Sequence, residues 1–471
     1  MKQCILFLLL WHFMSVCTLQ AEIFSVGSTR TFPTPNALYQ AGVVHEGDTI
    51  EIDGETYVGT HSLAVWQADN LLIRGVNGRP HLKADGKYIQ GKGIWVIAGD
   101  NVTVEHIEFS GAIVPDKNGA GIRLDGTGIT VRHCYFHNNE NGILTNNPYA
   151  GDILIEYSEF GHNGYGDGFS HNLYVGHVNS LTFRYNYSHH AKVGHNLKSR
   201  ANENFIYYNR IMDEASGYSS RLIDLSNGGF TIIMGNLLMQ GPNAENNTLI
   251  GYGKEGLSND SSHLYVVHNT MVNKRTASCN FLDIQNGTEI AVVHNNIFAG
   301  TGTTIKGTAT SAGSNITSTV IDALGFEDEP GYDYHILVSS PAVDSGEVLD
   351  PVDGYSLTPE YGYGHPTDSE NRPLVNGRID VGAYESFEIT SIPSFSTTQI
   401  IIFPNPVQNE LHVNWPNSDI QTIRVLSLEG KLFFEEKNIN TLSIQLLSPG
   451  IYLLQINHSD GSWMNQKFVK I

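Results

Sequence analysis

VTVEHIEF (102–109) alternates apolar and polar residues, reaches a histidine and closes on Phe109. Alternation with period 2 is the signature of a short strand. The pattern returns as ITVRHCYF (129–136), ILIEYSEF (153–160), LTFRYNYS (181–188), FIYYNRI (205–211), IIMGNLL (232–238), YVVHNTM (265–271) and AVVHNNIF (291–298). Aligned on His106, His133, Tyr157, Tyr185, Tyr208, Gly235, His268 and His294, the copies lie 27, 24, 28, 23, 27, 33 and 26 residues apart. Three residues further on stand Phe109, Phe136, Phe160, Ser188, Ile211, Leu238, Met271 and Ile297. All but Ser188 are apolar. A column of equivalent apolar positions is what the core of a solenoid requires.

A coil of this length holds two or three short strands joined by turns, and no 3.6-residue apolar period competes with that reading. One short helix fits at 36–42. The asparagines Asn209, Asn236, Asn269 and Asn295 beside the turns suit stacked side-chain ladders and left-handed corners. The expected fold is all-β: a right-handed, single-stranded parallel β-helix whose coils run from about residue 22 to 345. Its uneven spacing places loops between 208 and 235 and between 235 and 268. Ser188 breaks the apolar column, which marks either a functional interruption or a misaligned coil.

The chain of 471 residues carries 27 Lys and Arg against 48 Asp and Glu, a formal charge of −21. That balance argues against nucleic acid as a partner. Residues 1–21 combine a basic start, an apolar run and small residues, as a secretory signal does. No later segment has the length of apolar sequence a membrane helix needs. Cys4 and Cys17 fall in the signal; Cys134 and Cys279 are expected as separate buried thiols. The expected domains are 22–386 for the β-helix, 387–399 for a Ser/Thr-rich linker and 400–471 for a small β-sandwich. A monomer is expected.

Between Arg184 and Arg221 the charge balance inverts. Six bases (184, 192, 198, 200, 210, 221) face three acids (Glu203, Asp213, Glu214), and His171, His177, His189, His190 and His195 cluster nearby. Adjacent coils stack about 4.8 Å apart, so a cationic face suited to an anionic polymer follows. β-Elimination of a uronide needs a neutralised carboxylate, a base for the acidified proton and support for the departing oxygen. Lys198 is the candidate base. Arg200 or Arg221 would grip the carboxylate, and His190, His195 or His189 would serve as acid or second base. His171, Lys192, Asn196 and Asn227 complete the expected substrate-binding set. The plain alternative for Lys198 is a surface lysine. His106, His133, His268 and His294 read as stacked structural side chains.

Two resemblances follow from quoted motifs. IIFPNPVQNELHV (401–413), IRVLSLEGKLF (423–433) and LSPGIYLLQI (447–456) resemble the C-terminal sorting domain of the type IX secretion system. That implies recognition by the type IX machinery, export across the outer membrane of a Bacteroidetes-type bacterium, and release or surface attachment. LKSRANENFIYYNRI (197–211) with LIDLSNGGFTIIMGNLL (222–238) resembles the chondroitinase B and alginate lyase family, whose solenoid is of the pectate-lyase type. The resemblance implies catalytic lysine at Lys198. The family's Arg-His pair falls on Ser226-Asn227 here, so the acid role has no direct counterpart. Relatives often use calcium, for which Asp224 and Asp213 are the expected ligands, with Glu214 and Asn227 beside them. The closing segment YDYHILVSSPAVDSG (332–346) with RIDVGAYE (378–385) resembles that of many secreted β-helix proteins.

The expected function is therefore a secreted polysaccharide lyase acting on a uronate-containing glycan. A glycoside hydrolase on the same scaffold, using Asp213, Glu214 and Asp224, and a non-catalytic surface adhesin remain open beside it.

Overall fold

The computed structural model describes residues 21–375, 377–386, 401–414, 420–427, 431–458 and 463–471. The expected signal and the 387–399 linker lie outside the described residues, apart from Ala21. The chain divides into two compact units, 1–387 and 388–471.

The first unit is a right-handed parallel β-solenoid of about 11 turns. Each coil contributes one strand to each of three sheets, here called A, B and C in chain order, of 12, 11 and 10 strands. Thus Val102–Glu105 lies in A, Glu108–Ser110 in B and Ala120–Leu124 in C. The corner from A to B turns on one residue in the left-handed region: His106, His133, Tyr157, Tyr185, Tyr208, Gly235, His268 and Asn295, with φ between 51° and 69°. Repetition of that corner explains the repeat in the sequence. Rings on it stack from His106 through His133, Tyr157 and Tyr185 to Tyr208, at centroid spacings of 4.7, 5.2, 4.9 and 5.5 Å. The residue after each turn builds a second column. Asn186, Asn209, Asn236, Asn269, Asn296 and Asn315 each accept, through Oδ1, the backbone N–H of the residue one coil below or of the preceding asparagine.

The last coil departs by one residue from the sequence alignment. Val267 pairs with His294, so the corner equivalent to His268 is Asn295. The core position is Phe298, paired with Met271, rather than Ile297. The ladder asparagine is Asn296 rather than Asn295, and His294 leaves the stack to bind Ser311 and Glu347. Inside, Phe109, Phe136 and Phe160 stack 4.9 and 5.0 Å apart. Ser188 follows them in register, between Phe160 and Ile211, so no coil is misaligned there. Its hydroxyl donates to Asn196 O (3.0 Å) and accepts from Asn172 Nδ2 (3.1 Å). The break in the apolar column is an internal polar node.

The helix is Pro35–Ala41, begun by Thr34, whose hydroxyl accepts from Ala37 N, and ended at the left-handed Gly42. The coils end at Ile316–Ser318, not near 345. Residues 321–375 and 377–386 instead pack along the outside. Tyr334, Ile336, Tyr363, Val381 and Tyr384 cover Tyr187, Met212, Leu237 and Val272 of sheet B. Leu349, Val352 and Leu357 cover Phe205, Phe230 and Tyr265 of sheet A. Among the described residues, the outer face of sheet C has no apolar cover of that kind. Cys134 and Cys279 are free and buried, and burial pushes both thiols up to about 12.

The second unit has sheets of three and four antiparallel strands enclosing Leu411, Val425, Leu454, Ile456 and Phe468. Among the described residues no helix is long and apolar enough to cross a membrane.

Candidate functional site

Alternation decides what sheet C shows to the outside. Leu197, Ile223, Ile250 and Leu282 point into the core. Their neighbours form an outward row in one register: Tyr174, Lys198, Asp224, Gly251, Asp283 and Lys306. Three consecutive coils thus put Tyr174, Lys198 and Asp224 side by side, although 24 and 26 residues separate them in the chain.

Lys198 is 9% exposed. Its Nζ stands 2.6 Å from Glu255 Oε1 and 3.6 Å from Asp224 Oδ2, and 5.9 Å from the Tyr174 ring centre. Arg200 binds the other oxygen of Glu255, donates to Tyr174 Oη (2.9 Å) and to Asn227 Oδ1 (2.6 Å). Asp224 is fully buried and accepts from Arg221 (2.6 Å) and Ser226 (2.7 Å). Burial alone would raise its carboxyl; His195, Arg221, Ser226 and Lys198 outweigh that and hold it below the usual range. The Arg221 side chain passes over Gly251, where a Cβ would come within 3.0 Å of it. Its Nε is buried without a partner.

His171 and His195 stack at the edge of this row, 4.9 Å apart. Each Nδ1 accepts a backbone N–H from the coil above, from His195 and Arg221 respectively. With Nδ1 so occupied, the neutral ring carries its proton on Nε2, which in His195 lies 3.8 Å from Asp224 Oδ2. Burial, with Lys198 and Arg221 adding to it against Asp224, pulls His195 down to about 4; burial and His195 pull His171 well down. Both imidazoles are neutral at pH 7.

The structure therefore brings together Lys198, Arg200, Arg221, His195, His171, Asn227 and Asp224. It separates the rest of the expected set from them. Asn196 is turned inward, accepting from Asn172 and donating to Ser219 in a buried ladder. His189 stands on the outer face of sheet B, against Glu159 and His190. His190 packs at the B-to-C corner on His162 and Ser216. Lys192 lies on that same corner, against Gly164. Asp213 spends both carboxylate oxygens on the N–H groups of Ser219 and Gly241, and Glu214 binds Tyr187 and Arg210. Asp213 and Asp224 thus do not converge, and Lys198 and Arg221 already surround Asp224. These residues do not fit a calcium ion.

The cationic face also needs correction. Glu255 bridges Lys198 and Arg200, while Asp283 bridges Lys254 and Lys306 on the next coils. Glu255 sits in the connection 253–262, inside the longest interval of the repeat. That interval signalled a loop, but nothing in its sequence signalled a carboxylate folding back 57 residues.

Residues 62–238 match the family described as right handed beta helix region, and residues 401–471 match the secretion system C-terminal sorting domain. The crystal structure of pectate lyase Pel9A superposes with a TM-score of 0.51 at 13% identity, covering 78% of this chain and 97% of that one. No curated protein matches the sequence. The chain is a right-handed parallel β-helix protein of pectate-lyase-like fold with a C-terminal sorting domain that directs it, by type IX secretion, to the cell surface or beyond.

Proposed function

We propose that the protein is a polysaccharide lyase that cleaves a uronate-containing glycan by β-elimination on the outer face of sheet C. The observation that carries this reading is Lys198, a nearly buried lysine set among Arg200, Arg221 and neutral His195 on consecutive coils. Glu255 is the movable member, with 43% of its side chain exposed. A uronate carboxylate would replace it on Arg200. Displacing Glu255 uncovers Lys198 Nζ on the side where the polymer would lie. Lys198 Nζ then takes the proton α to the carboxylate. The electron pair forms the double bond, the β C–O bond breaks, and the ammonium returns the proton to the leaving oxygen. His195 Nε2–H supports that oxygen by a hydrogen bond rather than by giving up its proton.

The test offers alginate, pectate, chondroitin, dermatan, heparan and ulvan to the wild type, with and without chelator, and follows ultraviolet absorbance of an unsaturated product. Lys198→Ala is expected to abolish cleavage, at least ~10²-fold, while polymer binding persists. If the wild type cuts none of these polymers, the proposal fails; if Lys198→Ala still cuts, the assignment of the base fails. One observation favours a hydrolase as a second reading. Lys198 Nζ lies near both Asp224 and Glu255, which keeps their nearest oxygens at most about 6 Å apart, too close for an inverting glycosidase pair and compatible with a retaining one. New reducing ends without an unsaturated product would select it.

A further inference from the structure

We propose that His162, His189 and His190 form a binding site for a divalent transition-metal ion, zinc being the ion to test, at the corner between sheets B and C. The site is separate from the sheet C row and does not depend on its reading.

The coil repeat builds it. FGHN (160–163) and SHHA (188–191) occupy successive coils, with Phe160 opposite Ser188 and Gly161 opposite His189. The next residues, His162 and His190, are both left-handed, with φ of 58° and 51°. They turn the same corner one coil apart, which leaves their ring centres 4.8 Å apart. The His189 ring lies over Gly161, where a Cβ would come 2.5 Å from Cε1. A side chain at 161 would evict that ring. One nitrogen from each of the three histidines lies within 4.8 Å of the others.

Two of these nitrogens already face each other, His189 Nδ1 and His190 Nδ1 at 2.8 Å. Ligands at about 2.0–2.1 Å from a tetrahedral zinc lie roughly 3.3 Å apart, so small ring rotations suffice. The far nitrogens are anchored as those of metal-bound imidazoles usually are: His189 Nε2 on Glu159 Oε1 (3.2 Å) and His190 Nε2 on Ser216 Oγ (3.1 Å). Without metal, the facing pair shares one proton. Binding moves it to His190 Nε2, where Ser216 Oγ accepts it, so both Nδ1 lone pairs become free with no net proton change. Three imidazoles and no carboxylate select zinc, copper, nickel or cobalt over calcium and magnesium. Exposed His162 leaves a fourth position open to water.

A second group on sheet B, His81, Glu108 and His137, serves as the control. There Glu108 Oε1 already lies between the two imidazole Nε2 atoms, at 3.4 and 3.1 Å.

The experiment titrates the full-length protein with cobalt(II), reading the visible bands of the ion, and with zinc by calorimetry, in calcium-containing buffer. One equivalent should bind with nitrogen-type tetrahedral bands. His162→Asn and His190→Asn, chosen because asparagine tolerates the left-handed corner, should each weaken it at least about tenfold without lowering the melting temperature. His137→Gln should leave it unchanged. Absence of binding, an equivalent that survives both asparagine variants or vanishes in His137→Gln, or displacement by calcium would each overturn the assignment.

Discussion

At Gly235 a single hydrogen atom decides how the A-to-B column is built. The residue has φ +69°, and a Cβ there would come 2.5 Å from the Tyr208 ring. That ring closes the stack of corner aromatics, and its hydroxyl accepts from Glu360 N of the outer wrap (3.2 Å). Gly235→Ala would strain the backbone and push Tyr208 off both partners. The expected loss is about 1–3 kcal/mol, from left-handed strain plus the displaced ring. Gly86→Ala is the comparison, since Gly86 has φ +73° with nothing within 4 Å of the added carbon. Denaturant midpoints should fall further for position 235. Equal shifts would mean that the backbone alone matters and that the Tyr208 contact contributes nothing.

Among the repeated elements, the asparagine ladder tests cooperation between coils. Asn236 Oδ1 accepts from the Asn209 backbone N–H and Nδ2 at 2.9 Å each, while its own Nδ2 donates to Ile206 O at 2.8 Å. Asn236→Ala strands these groups in a dry interior, at about 1–3 kcal/mol for each one left unpaired. A loss of roughly 2–4 kcal/mol in unfolding free energy is expected; a loss near that of a surface substitution would show that water or neighbours replace the ladder. This column and the aromatic one beside it were legible in the sequence because each coil repeats the same corner. The reading slipped in the last coil, where HNN (294–296) offers a histidine one residue before the true corner and two asparagines for one ladder position. The site was legible where coil-to-coil register governs, in the gathering of Lys198, Arg200, Arg221, His171 and His195 on adjoining coils. It was illegible across a corner. His189 and His190 are close to His195 in the chain, yet the B-to-C turn sends them to another face. Glu255 arrives from a loop whose length, but not whose path, the spacing records.

Over the whole molecule, imidazoles held neutral by burial make stability depend on pH in a definite direction. His171, His195 and His268 are almost fully buried, and each is lowered by burial first. The unfolded chain protonates such groups near pH 6.5, while the folded chain resists until far lower, about 4 for His195. Their stabilising contribution is therefore complete above pH 6.5 and is lost as the pH falls toward the folded value, by about 1.4 kcal/mol per pH unit for each group. His335 acts oppositely: Glu370 and Asp333 overcome burial and raise it, so its contribution is full below pH 6.5 and is lost as the pH rises through its folded value. Buried Asp213, Asp380 and Glu385 are raised as well and take up protons in the folded state as the pH falls, which flattens the acid limb. A net curve therefore mixes signs, and a difference between two proteins isolates one group. His268 is the group to remove, because it sits on a left-handed corner far along the column from Lys198, and asparagine occupies the equivalent corner at 295. Between pH 6 and 5, the stability of His268→Asn should fall less steeply than that of the wild type, by roughly 1.4 kcal/mol per unit. Parallel curves over that interval would show that His268 takes up its proton as readily in the fold as in the unfolded chain, and that burial at this corner does not keep it neutral.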